Sequence, residues 1–146
     1  MNCFRKQYTQ IKVWRVPMRV IIAGSRSFND YEFLKTNCLN IFRQLKAEGY
    51  DTKRETLEII SGTAKGADRL GEQFANEFNL KLIRFPADWD KLGRKAGYIR
   101  NEKMALYAKE DNGVLIAFWN ETSKGTKHMI DLANKHRLKV FVVKFR

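Results

Sequence analysis

A chain of 146 residues, with 44% hydrophobic and 30% charged side chains, is long enough for one domain with a proper core and has the balance of a soluble globular protein. No run approaches the roughly 18 apolar residues of a membrane-spanning helix, so a cytoplasmic protein with no membrane partner is expected. Two cysteines, Cys3 and Cys38, and two histidines, His128 and His136, are too few for a disulfide framework, a zinc site or a Ser-His-Asp triad. No resident cofactor or metal is called for, and a Mg²⁺ arriving with a phosphate ligand is the one ion left open. The formal net charge is +12, and residues 1–19 contribute five Lys/Arg and no acid to it. Residues 1–17 therefore read as a basic N-terminal tail or extension, without the apolar segment and cleavage site of a signal peptide. An edge strand there, or a natural start at Met18, are the other readings. Residues 18–146 read as a single domain.

From Arg19 onward, short β-branched runs alternate with amphipathic stretches. Residues 19–23 (RVIIA) read as a strand that is continuous rather than alternating, as expected of one covered on both faces. A helix follows over residues 30–48, with Leu34, Cys38, Ile41, Phe42 and Leu45 on one face, Ser27 and Asp30 in capping-box spacing and Gly49 as its stop. A second strand covers residues 57–60, and Ala67, Leu70, Phe74 and Phe78 then recur at helical spacing. A third strand covers residues 81–85. Residues 86–95 have no periodicity and read as the longest loop, a candidate lid, before a helix over residues 97–109. A fourth strand (residues 113–119), a helix carrying Met129, Ile130 and Ala133 on one face, and a fifth strand (residues 139–143) complete the pattern. Strand–helix alternation implies an α/β fold of three layers. Its centre is a Rossmann-like, doubly wound, mostly parallel five-stranded sheet with helices on both faces.

Ligands of such sheets bind beyond the carboxyl ends of the strands, and four segments fall there. In AGSR (residues 23–26), Gly24 and Ser25 offer N–H and hydroxyl donors and Arg26 a bidentate fork; a solvated Arg26 is the alternative. In SGTAKGAD (residues 61–68), Ser61 precedes Gly62 and Gly66, which allow close approach of a ligand, and Lys65 lies between them just before a helix N-terminus. A tight βα turn explains the glycines but not the lysine. Asp68 lies in the first helical turn, where a carboxylate is stabilised by the helix dipole or can face a ribose hydroxyl. IRNEKM (residues 99–104) carries Arg100 and Asn101. SKGT (residues 123–126) places Lys124, Gly125 and Thr126 at another helix start, where a cap and an anion site look alike. Trp89 and Trp119 either stack on a base or cover the sheet end. Neither a G-x-G-x-x-G fingerprint nor a Walker A spacing is present, which argues against an NAD enzyme or a P-loop NTPase.

These segments, in this order from Met18 to Val143, resemble the SLOG superfamily, which unites the DNA-processing protein DprA with the LOG cytokinin-activating enzymes. The similarity is to its YspA, cpYpsA-related subgroup of small stand-alone proteins. The resemblance implies a pocket for a nucleotide or nucleotide-derived phosphorylated ligand, in phage or bacterial conflict or in signalling, and a homodimer. Resemblance to DprA implies single-stranded DNA as partner, with Arg26, Lys65, Arg94, Lys95 and Arg100 on phosphates. Resemblance to LOG enzymes implies hydrolysis of the N-glycosidic bond of nucleoside 5′-monophosphates. Arg100 with Met104 matches the spacing of their arginine segment, which makes Arg100 the candidate catalytic residue. Their glutamate position falls on Met129, so Glu102 or Asp88 would have to replace it.

Overall fold

The computed structural model describes residues 17–146, and the expectations for the preceding tail lie outside them. Five strands alternate with helices: β1 (Met18–Gly24), α1 (Tyr31–Ala47), β2 (Leu57–Ser61), α2 (Ala67–Glu77), β3 (Lys81–Arg84), α3 (Trp89–Leu92), a 3₁₀ turn (Gly93–Lys95), α4 (Ala96–Lys109), β4 (Gly113–Trp119), α5 (Lys124–Lys135) and β5 (Lys139–Lys144). They form one sheet in the order β3-β2-β1-β4-β5, every neighbouring pair parallel. The fold is thus the expected Rossmann-like α/β sheet.

The period-2 geometry of a strand sends alternate residues to opposite faces, and β1 uses both. Val20 and Ile22 join Leu34, Cys38 and Phe42 of α1 and Phe74 of α2 in one core. Ile21 and Ala23 join Met104, Ala105 and Ala108 of α4 and Met129 and Ala133 of α5 in the other. Phe74 and Phe118 are among the largest fully buried side chains, each contributing roughly 1.5–3 kcal/mol by burial alone. Cys38 belongs to this packing, and burial pushes its thiol up to about 12.

The chain runs from β1 outward through β2 to β3, then crosses back to place β4 on the other side of β1. Strand order therefore reverses between β1 and β4, and the loops leaving their carboxyl ends diverge to leave a crevice. At the opposite end, Arg19 donates to the Tyr107 carbonyl at 2.7 Å and lies 3.0 Å from Glu110, 3.3 Å from Asp111 and 3.5 Å from Glu58. That cluster fastens the C-terminal end of α4 to the amino ends of β1 and β2.

Two local expectations are corrected. Asp30, not a box begun by Ser27, is the N-cap of α1, its carboxylate accepting the Phe33 N–H at 3.0 Å. Residues 86–95 are not an open loop: Asp88 caps α3 by accepting the Lys91 N–H at 3.2 Å, and the 3₁₀ turn leads directly into α4.

Candidate functional site

The crevice is a cavity of about 660 Å³. Gly24 at the end of β1 with residues 25–27 after it, Asp68 of α2, Arg100, Asn101 and Met104 of α4, and Asn120, Ser123, Gly125 and Thr126 around the start of α5 line it. Ser25 holds these loops in register. Its N–H donates to the Phe118 carbonyl at 2.9 Å, its hydroxyl oxygen accepts the Asn120 N–H at 3.3 Å, and its carbonyl accepts the Ala67 N–H at 3.3 Å. Gly66 makes the last contact possible. Its φ of +90° is costly for any side chain, and a Cβ there would stand 2.5 Å from the Ser25 carbonyl oxygen.

The turn after β4 is built by short-range polar contacts. Asn120 Oδ1 accepts the N–H groups of Thr122 at 3.0 Å and Ser123 at 2.9 Å. Ser123 then caps α5, its hydroxyl accepting the Thr126 N–H at 3.3 Å, while the Trp119 indole N–H donates to the Ser123 carbonyl at 3.0 Å. The first intrahelical bond runs from Lys127 N–H to the Ser123 carbonyl, so the Lys124 and Gly125 amides precede the helical ladder.

Arg100 and Asp68 form the floor. Arg100 donates to the Gly62 carbonyl and, through Nε, to Asn101 Oδ1 at 3.0 Å. Gly62 leaves room for this: a Cβ would lie 2.6 Å from Arg100 Nη1 and 2.8 Å from Asp68 Oδ2. Asp68 is buried, accepts the Ala64 N–H at 3.1 Å and is also hydrogen-bonded by the Gly24 N–H. Burial nevertheless pushes its carboxyl up to about 6, against the opposing pull of Arg100 and the two amides. Burial likewise holds Arg100 below the usual guanidinium range, with Arg26 adding repulsion and Asp68 opposing both. Both shifts run against what mutual attraction alone would produce, so desolvation outweighs it at this pair.

Asn101 bridges to α5, with Nδ2 at 3.1 Å from His128 Nδ1 and 3.4 Å from the Gly125 carbonyl. As Asn101 Nδ2 donates, His128 Nδ1 is the acceptor and its proton sits on Nε2. The Tyr98 ring centroid is 4.4 Å from that of His128, and burial lowers the imidazole's proton affinity. At the mouth, Trp89 and Tyr98 are each 48% exposed, large aromatic surfaces with little protein covering them. The Arg26 guanidinium lies over Trp89 at 5.9 Å.

A second cavity, about 290 Å³, adjoins the first and shares Arg26, Ala64, Trp89 and Arg100 with it. Lys65 and Arg69 line only the smaller one, and Arg94 only the larger. Among the described residues, none of these five cations forms a salt bridge within 4.0 Å. The floor carboxylate Asp68 is the one acid among the described residues lining either cavity.

Of the residues singled out from the sequence, Gly24, Ser25, Arg26, Asp68, Arg100, Asn101, Gly125 and Thr126 meet in the larger cavity, while Gly62 and Lys65 line the smaller. Ser61, Gly66 and Lys124 line neither. The buried Ser61 hydroxyl donates to Glu72 at 2.7 Å and accepts the Thr63 N–H at 3.0 Å, bracing the loop from behind. Trp119 serves the turn described above. Asp88 is used as a helix cap, and neither it nor Glu102 lines the cavity, whereas Met129 does. Sequence reasoning missed Tyr98 and Asn120 as wall residues, whereas Ser123 lies in the SKGT segment it singled out. Asn120 had a readable signal, an asparagine directly after a strand and three residues before a capping serine.

The model of the YspA, cpYpsA-related SLOG family matches residues 18–92. The Gene 61 protein of Mycobacterium phage D29 is 30% identical over 122 residues, spanning 80% of this chain and 89% of that protein. Among solved structures, DNA processing protein A from Streptococcus pneumoniae is similar with a TM-score of 0.61 at 17% identity, over 90% of this chain and 52% of that one. DNA processing protein A from Helicobacter pylori, described through its single-stranded DNA binding mode, gives 0.58 at 19% identity, over 92% and 69%. These identities establish likeness of fold, and the chain spans about half of the S. pneumoniae protein.

Proposed function

The chain belongs to the YspA, cpYpsA-related SLOG family, and from that premise we propose that it binds a nucleotide or nucleotide-derived phosphorylated ligand at the carboxyl ends of β1 and β4. One observation carries the reading: Arg26, Arg94 and Arg100 converge on one concave site beside Gly125 in the first turn of α5 and the exposed aromatic rings of Trp89 and Tyr98. A guanidinium fork matches phosphate oxygens, and a helix N-terminus favours an anion. Trp89 and Tyr98 suit the face of a base, and the Asn120 amide nitrogen suits a sugar or base edge. A volume of about 660 Å³ is that of a small-molecule site.

The test is a thermal-shift titration with the common nucleoside 5′-monophosphates, on the protein and on Arg26→Ala and Arg94→Ala, both at exposed positions. A saturating ligand is expected to raise Tm by several degrees, and either variant to shrink the rise. No rise with any monophosphate, or equal rises in both variants, would refute the assignment. We read the site as one for binding. Met129, at the position of the LOG enzymes' glutamate, lines the wall with Met104, and a thioether neither ionises nor transfers a proton. Incubated monophosphates should therefore yield no free base by chromatography.

Single-stranded DNA is the second reading, favoured by exposed Trp89 lying among Arg26, Lys65, Arg69 and Arg94. It predicts oligonucleotide binding that weakens steeply with salt and is competed by a mononucleotide. Binding that a mononucleotide leaves untouched would assign the DNA to another surface.

A further inference from the structure

We propose that the smaller cavity is a second phosphoryl subsite. The preferred ligand then carries two phosphoryl groups, one on each side of the ridge formed by Arg26, Trp89 and Arg100. The inference rests on the nucleotide reading of the larger cavity and narrows the class of ligand.

The smaller cavity concentrates Arg26, Lys65, Arg69 and Arg100 around about 290 Å³, with no carboxylate among the described residues of its lining. That volume admits a phosphoryl group with part of a sugar but little more. Four like charges about one small space repel one another, and the lowering of Arg100 by Arg26 records part of that cost. An acid lies within reach and is not used. Glu72 stands one helical turn beyond Arg69, at the spacing where a pair would form. Its carboxylate instead faces away, taking Arg84 at 3.1 Å and the Ser61 hydroxyl at 2.7 Å. Elsewhere acids are matched to cations: Glu77 to Lys35 at 2.6 Å, Asp131 to Lys127 at 2.9 Å and Glu121 to Lys144 at 2.8 Å. The loop forming the cavity is also held away from its relaxed state. Thr63 has a φ of 65°, a left-handed conformation that a β-branched residue adopts at a cost, and the Ser61 hydroxyl keeps it there. Unmatched cations, an excluded acid and a strained loop coincide at a space contiguous with the proposed nucleotide cavity. An anionic group attached to that nucleotide accounts for all three.

Two phosphoryl groups occur either contiguously, as in a diphosphate, or at two positions of a sugar. Isothermal titration of nucleoside 5′-monophosphates, 5′-diphosphates and 3′,5′-bisphosphates of the four common bases separates these sources. One two-phosphate probe should bind at least about tenfold more tightly than its monophosphate. The exposed Arg69 lies outside the larger cavity. Arg69→Ala should remove most of that gain and Arg69→Glu all of it, with monophosphate affinity within about twofold of the unaltered protein. A gain with the diphosphate assigns a contiguous chain, and a gain with the bisphosphate assigns separated groups. The subsite is overturned if neither probe exceeds the monophosphate, or if the gain survives Arg69→Glu. Monophosphate binding without any gain sinks this inference alone, while failure of every probe to bind sinks the nucleotide reading with it.

Discussion

Asp68→Asn isolates the cost of keeping a carboxylate at the floor of the cavity. In the folded protein the carboxyl titrates near 6, against 3.8 unperturbed, with burial the largest cause. Because the folded state holds the proton more tightly, Asp68's contribution to stability is fully present below 3.8, falls as pH rises toward 6 and is gone above it. Two pH units at about 1.4 kcal/mol each make the difference roughly 3 kcal/mol between pH 4 and pH 7. A protonated carboxyl and an amide have similar shape and hydrogen-bonding capacity, so Asp68→Asn should match the original protein near pH 4. At pH 7 it should exceed it by up to roughly 3 kcal/mol, or about 10 °C in Tm.

Urea denaturation of both proteins at the two pH values, with equal slopes, measures this directly. Comparison with the variant cancels the surface carboxylates Glu48 and Glu77, which hydrogen bonds to Lys139 and Lys35 hold below the usual range. Those groups act in the opposite direction, losing stability as pH falls. If attraction to Arg100 outweighed burial, the variant would instead be the weaker protein at pH 7, as when one partner of a buried pair is removed. That outcome, or a difference independent of pH, refutes the reasoning. A stabilised variant with weaker nucleotide binding would indicate that Asp68 is retained to position Arg100 rather than to hold the fold together.

Gly66→Ala should cost at least about 2 kcal/mol, because it combines a φ of +90° with a Cβ 2.5 Å from the Ser25 carbonyl oxygen; urea titration reads the loss. Ser123→Ala should cost about 1 kcal/mol through the lost cap on Thr126, visible as a lower Tm with unchanged helical circular dichroism at room temperature. Trp89→Ala removes a half-exposed ring, so its stability should change by less than about 0.5 kcal/mol. Its mononucleotide affinity should fall about tenfold in titration calorimetry, and undiminished affinity would remove the ring from the site.

The sheet was legible because β1, β2 and β4 are buried on both faces and so read as continuous rather than alternating stretches, broken only by Arg19 in β1 and Glu58 in β2. Predicted strand ends lie within a residue of those observed, and β4 coincides. Residues 86–95 were illegible because a four-residue helix has no hydrophobic period to display; Asp88 and Gly93 delimit it through a cap and a φ of +60°. The candidate site was legible at strand ends, since topology alone brings Arg26 and Thr126 together. Tyr98 meets His128 only because α4 packs on α5, a contact that no local pattern encodes. Within a motif, moreover, spacing does not separate a residue that faces the cavity from one that shapes the loop. Lys65 and Gly66 are adjacent, but one lines a cavity and the other lets two turns approach.

Composition gave a net charge of +12 without saying where it is left unbalanced. In the fold, acids gather around Arg19 at the amino ends of the strands, while Arg26, Lys65, Arg69 and Arg94 at the carboxyl ends form no salt bridge among the described residues. Arrangements of this kind favour an incoming anion at the expense of the unliganded protein. Neutralising Arg69 or Arg94 should therefore raise the stability of the free protein at low salt, while lowering affinity for a two-phosphate ligand in the first case and for a nucleoside monophosphate in the second. Because both side chains are exposed, the stability gain should disappear as salt screens the repulsion. Tm measured without ligand across a salt series decides the matter. A destabilised variant, or a gain that persists at 1 M salt, would mean that these cations support the fold and are not held in readiness for an anion.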